Sequence, residues 1–107
     1  MPTWTVEVKE SVIEDLRALG RKEGRAVWKL AAERLAADPL VETRNLKILR
    51  PNPFAERELR LLGKYRVLFG VEPGARKVVI VVVGEKRGAS VFVRGRRFSE
   101  HESHSAK

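Results

Sequence analysis

The sequence predicts an α+β fold: an N-terminal strand and a helical hairpin packed on one face of a mainly antiparallel sheet of four to five strands. Three observations lead there. The first residues alternate apolar and polar, two stretches between residues 11 and 37 carry apolar stripes at helical spacing, and four short strand-like runs follow residue 57. A block of helices followed by a block of strands is the pattern of helices gathered on one side of an antiparallel sheet. At 107 residues the chain makes one domain, predicted over residues 1–95, with a polar and mobile tail over 96–107.

Thr3 to Lys9 places Trp4, Val6 and Val8 on one face and Thr5 and Glu7 on the other, which is a half-buried strand. Ser11 with Glu14 three residues on reads as a capping box. Ile13, Leu16 and Leu19 then form the inward face, with Val12 at its margin, and Gly20 ends the helix. A second helix is expected from Lys22 to Ala37, with Val27, Leu30, Ala31 and Leu35 inward, stopped by Asp38-Pro39. Gly24 near its start costs roughly 1 kcal/mol relative to alanine. Val41 to Phe54 has no clean period and is read as a connector, irregular around Pro51 and Pro53. Strands are predicted at 57–62, 65–71, 76–83 and 89–94, the third apolar on both faces as a central strand should be.

The formal charge of +8 is uneven: residues 1–50 hold ten Lys/Arg against eight Asp/Glu, residues 51–107 twelve against six. A basic sheet half points to a polyanionic or acidic partner. There is no cysteine, hence neither a disulfide framework nor a thiolate metal site, which fits a reducing cytoplasm. The longest apolar run, Val78 to Val83, is far short of the roughly 20 residues of a membrane helix, and no signal peptide is visible. No metal, nucleotide or other cofactor is expected: the only histidines are His101 and His104, and there is no glycine-rich phosphate loop.

The order of elements, with the segments LAADP, NLKILR, LGKYRVLF and VVIVVVGEKRG, resembles the RelE/ParE family of bacterial type II toxins over residues 4–94. The most specific matches are Gly63-Lys64-Tyr65-Arg66-Val67 and Val83-Gly84-Glu85-Lys86-Arg87. The resemblance implies a toxin acting in the cytoplasm with a separate acidic antitoxin. In the RelE branch it implies ribosome-dependent, metal-free cleavage of messenger RNA. In the ParE branch it implies inhibition of DNA gyrase without hydrolysis. A nucleic-acid-binding module without poison activity is the third alternative.

Metal-free cleavage needs preorganised positive charge around the phosphorane, and arginine suits that because its planar fork holds two phosphate oxygens and stays ionised. By resemblance, the catalytic set is Arg66, Lys86 or Arg87, and Arg57, with Arg60 beside it. RNA contacts are expected from Arg60, Lys64, Arg44, Lys47 and Arg50. Phe92 stands where ribonuclease members often carry a tyrosine or histidine, and Leu59 stands where a second basic residue is usual. His101 and His104 are the candidate replacements for the acid/base group, since imidazole titrates near neutrality. Tyr65, Val67 and Phe69 alternate, so Tyr65 is expected in the core with its hydroxyl near the rim and Arg66 on the other face. Glu56 and Glu58 read as local charge balance.

Overall fold

The computed structural model describes residues 3–98, as β1 (Thr5–Val8), α1 (Glu10–Ala18), α2 (Arg21–Ala37), β2 (Leu46–Ile48), β3 (Arg57–Leu61), β4 (Tyr65–Glu72), a 3-10 turn (Pro73–Ala75), β5 (Lys77–Arg87), β6 (Ser90–Val93) and β7 (Arg96–Arg97). One sheet runs in the order β2-β3-β4-β5-β6-β7, antiparallel throughout, and β1 joins it parallel to β5. The α+β class is as the sequence predicts, with two short strands beyond the expected number. β2 falls in the segment read as a connector, where only Leu46 is buried and Ile48 is 57% exposed, so three residues leave no periodic trace. β7 falls in the segment read as tail, so the domain runs past residue 95 through the β6–β7 hairpin.

β5 is 11 residues long and changes partner along one edge: Lys77–Ile80 pairs with β1, and Glu85–Arg87 pairs with β6. A bulge inside it sets Phe69 opposite Ile80 and Leu68 opposite Val82, leaving Val81 unpaired. The extra residue resets the alternation. Val78, Ile80 and Val83 can therefore all enter the core, which they share with Val67, Phe69, Leu59 and the helices.

Both helices lie on this core. Lys9 N–H still bonds to the Ile80 carbonyl, so α1 begins directly after the strand pairing ends, at Glu10. No side chain caps it, and Glu14 pairs instead with Arg17, 2.9 Å away; the Ser11–Glu14 capping box does not form. Its buried stripe is Val12 and Asp15 with Leu16 and Leu19, while Ile13 is 44% exposed. A buried aspartate in the middle of the stripe disguised its phase. In α2, Val27, Ala31 and Leu35 are buried as expected, and Leu30 lies outside at 36% exposure. Gly24 is buried as well, because a side-chain carbon there would collide with the Leu16 carbonyl oxygen. Its glycine is a packing requirement of the helical hairpin.

Candidate functional site

The strand registers assemble a row of residues across the sheet face that points away from the helices. Arg60 stands opposite Arg66, Arg66 opposite Gly84, and Val93 opposite Arg96. Gly84 and Val93 are neighbours: a β-carbon on Gly84 would come within 3.0 Å of Val93 Cγ2 and 2.8 Å of Val91 Cγ1. Directly opposed residues share a face, and neighbouring strands lie about 4.8 Å apart, so Arg66 and Arg96 stand on one face with backbones roughly 14 Å apart, Gly84 and Val93 between them and the Val91 and Val93 side chains crowding the glycine. A parallel row runs Lys47–Glu58–Leu68–Val82, and Lys86 stands two residues beyond Gly84 on the same face.

Glu58 ties the arginines together. Its Oε1 lies 3.3 Å from Arg60 Nε and its Oε2 lies 3.8 Å from Arg66 Nε. Arg66 is 7% exposed and donates from Nη1 to the Tyr65 carbonyl at 3.1 Å. Burial lowers the Arg66 pKa from its ordinary value; Glu58 works against that and Arg60 with it. An arginine starts so high that it remains charged. The cluster is thus a guanidinium pair sharing one carboxylate, with Arg66 buried and Arg60 partly exposed. It offers cationic donors to an anion and one acceptor for a proton.

The other expected site residues divide by strand parity. Arg57 stands opposite Phe69, on the helix-bearing face and apart from Arg66, with Nε and Nη1 buried and without hydrogen-bond partners among the described residues. Leu59 and Leu61, which alternate with it and face the core side, carried that signal in the sequence. Of the pair Lys86/Arg87, only Lys86 shares the face of Arg66. Arg87 packs 4.8 Å over the Phe92 ring and lies 3.4 Å from Glu85. Lys64 pairs with Glu85 at 3.5 Å and lies over the Tyr65 ring. Lys47 is on the open face, and Arg44 and Arg50 are exposed on either side of β2. His101 and His104 lie outside the described residues. Tyr65 is in the core, its hydroxyl donating to Glu23 Oε1 at 2.9 Å. Sequence reasoning missed Glu58 as a member of the cluster, although its alternation with Arg60 marked it, and missed Arg96, whose strand was read as tail.

No family model and no curated protein matches the sequence. Among solved structures, the chain is similar to one in the crystal structure of the RelBE2 toxin–antitoxin complex from Mycobacterium tuberculosis, at 29% identity and TM-score 0.68 over 80% of this chain and 94% of that one. It is also similar to a chain of the archaeal RelE–RelB complex from Pyrococcus horikoshii OT3, at 21% identity and TM-score 0.63 over 82% and 99%. The second likeness concerns the fold alone. The fold is that of RelE toxins of type II toxin–antitoxin systems.

Proposed function

We propose that this protein is the toxin of a type II toxin–antitoxin pair and a ribosome-dependent endoribonuclease that cleaves messenger RNA. The observation that carries the reading is the Arg60–Glu58–Arg66 cluster on the open sheet face. The reaction it suits needs no redox partner. The ribose 2′-oxygen attacks the adjacent phosphorus and its proton passes to the Glu58 carboxylate. The P–O5′ bond breaks and the leaving oxygen takes a proton from water, whose hydroxide takes up the proton held by Glu58, giving a 2′,3′-cyclic phosphate and a 5′-hydroxyl and restoring the carboxylate. Arg66 and Arg60 stabilise the charge that builds on the phosphorane, aided by Lys86. Arg44, Lys47 and Arg50 supply contacts to RNA backbone on the ribosome. The cytoplasm follows as the site of action.

The test is a translation extract given the purified protein. Wild type should cut messenger and Arg66→Ala should not; Glu58→Gln should keep RNA binding and lose cleavage about 100-fold or more. Intact messenger with wild type overturns the reading.

Inhibition of DNA gyrase is the second reading, favoured by Phe92, which has no proton to give. A supercoiling assay separates the two, since a ribonuclease leaves supercoiling untouched. Either toxin needs a neutralising partner. The two similar chains come from complexes with antitoxins, and for this chain we propose an acidic antitoxin segment that covers the basic face and weakens with salt.

A further inference from the structure

Asp15 is a buried carboxylate that the proposed chemistry does not use. It is 2% exposed, at the edge of β5 between the end of pairing with β1 and the start of pairing with β6. There the Val83 N–H has no strand to bond, and Asp15 Oδ2 accepts it at 3.0 Å. The other oxygen, Oδ1, lies 3.0 Å from Arg94 Nε as a charge pair, without an aligned hydrogen bond. Arg94 occupies the β6–β7 turn in the left-handed region, at φ 53°, followed by Gly95 at φ 79°. Past that turn, among the described residues, the chain makes two paired residues, the Phe98 N–H bond to the Val91 carbonyl at 2.7 Å, and the Phe98 ring against Phe54. To these contacts the Arg94–Asp15 pair adds a tie from the turn to α1.

We propose that Asp15 is a positioning residue: through Arg94 it anchors the β6–β7 turn to α1 and so fixes Arg96 in the row of Arg66 as a further phosphate-contacting arm. The Arg96 role rests on the RNA reading above; the anchor does not. The charged groups around Asp15 are Arg94 at the turn and Arg96 and Arg97 lining the same cavity. α1 adds the neutral Ser11, and β5 adds the Val83 N–H with the side chains of Val81 and Val82. Burial raises the Asp15 pKa above its ordinary 3.8, with the Val83 N–H and Arg94 opposing. Protonation is thus favoured by folding. Acid strengthens this group's contribution to global stability while it removes the charge that holds Arg94. A purely structural role would move turn and fold together.

The experiment is amide hydrogen exchange on the full chain across acid pH, corrected for intrinsic rates. In wild type, protection of the Phe98 amide should fall about fivefold through a midpoint above 3.8. Asp15→Asn keeps an acceptor for Val83 N–H but no charge. It should keep Val83 protected, show the lower Phe98 protection at every pH and lose the step. Arg94→Gln should do the same, and the double variant no more than either. Should Asp15→Asn fail to fold, Arg94→Gln alone decides, since its side chain is half-exposed. Wild-type protection at Phe98 in Arg94→Gln overturns the anchor. A single-stranded RNA oligonucleotide should bind about three- to tenfold more weakly to Asp15→Asn, Arg94→Gln and Arg96→Ala. Unchanged binding of all three overturns the Arg96 role. Failure of wild type itself to bind RNA faults the RNA reading, and exchange still decides the anchor.

Discussion

A methyl group at Gly24 would normally help a helix, because alanine is better there than glycine by about 1 kcal/mol. Here the methyl meets the backbone oxygen of Leu16, which cannot rotate away as a flexible side chain would. Overpacking therefore wins, and Gly24→Ala should destabilise the fold by about 1–3 kcal/mol in urea denaturation. A gain in stability would show that the helices can separate at little cost. Tyr65 gives a second measurement at this scale, and as the sole tyrosine it is free of overlap. Its ring is 3% exposed and its hydroxyl reaches the exposed Glu23 at the rim. Burial raises its pKa from the ordinary 10.0, the Glu23 bond and charge add to that, and Lys64 opposes. With the folded value above the unfolded one, the protonated phenol stabilises the fold fully below pH 10.0 and that contribution is lost as pH climbs through the folded value. Absorbance of tyrosinate should titrate with a midpoint above 10.0 in the folded chain. Glu23→Gln should bring the midpoint down only part of the way, because burial remains.

The elements differ in how plainly the sequence announced them. The two helices and β3 to β6 rest on apolar patterns that span many residues, and each was legible. β2 and β7 are too short for a period to exist, and their pairing comes from the neighbouring strand. The bulge in β5 was hidden because a run of valines looks alike in either phase, so which valines face the core is decided by β4 and the helices. The site follows the same division. Parity on β4 put Arg66 opposite the Tyr65 face; the same parity on β3 sets Arg57 with Leu59, against its place in the expected catalytic set. The ion pairs of Glu58, by contrast, required the register between two strands. Gly84 shows what such a register demands. It sits at the β5–β6 seam, 2.7 Å at the β-carbon from the Phe92 carbonyl and 2.8 Å from Val91 Cγ1. Gly84→Val should push β6 off β5, costing about 1–3 kcal/mol and raising amide exchange in Ser90–Val93 above that of β3. Equal exchange in both strands would mean that the seam adapts.

For the whole molecule the deciding quantity is where the +8 charge lies. Among the described residues five cations, Lys47, Arg60, Arg66, Lys86 and Arg96, stand on the open face by strand register. Glu58 between the arginines offsets about one of them, leaving an effective four for RNA phosphates. Binding of single-stranded nucleic acid loses about 0.7 in slope per neutralised phosphate, so log affinity against log salt should fall with a slope near −3. Between 50 and 200 mM salt that is a loss of roughly 50-fold. The parity argument then makes a sharper demand than the slope alone. Arg60→Ala and Arg96→Ala should each flatten the slope by about 0.7, whereas Arg87→Ala, held over Phe92 on the other face, should leave it alone. Equal effects of all three would mean that RNA senses only the total charge of the chain. Because that charge is the same in each single variant, only a contact confined to the open face can separate them.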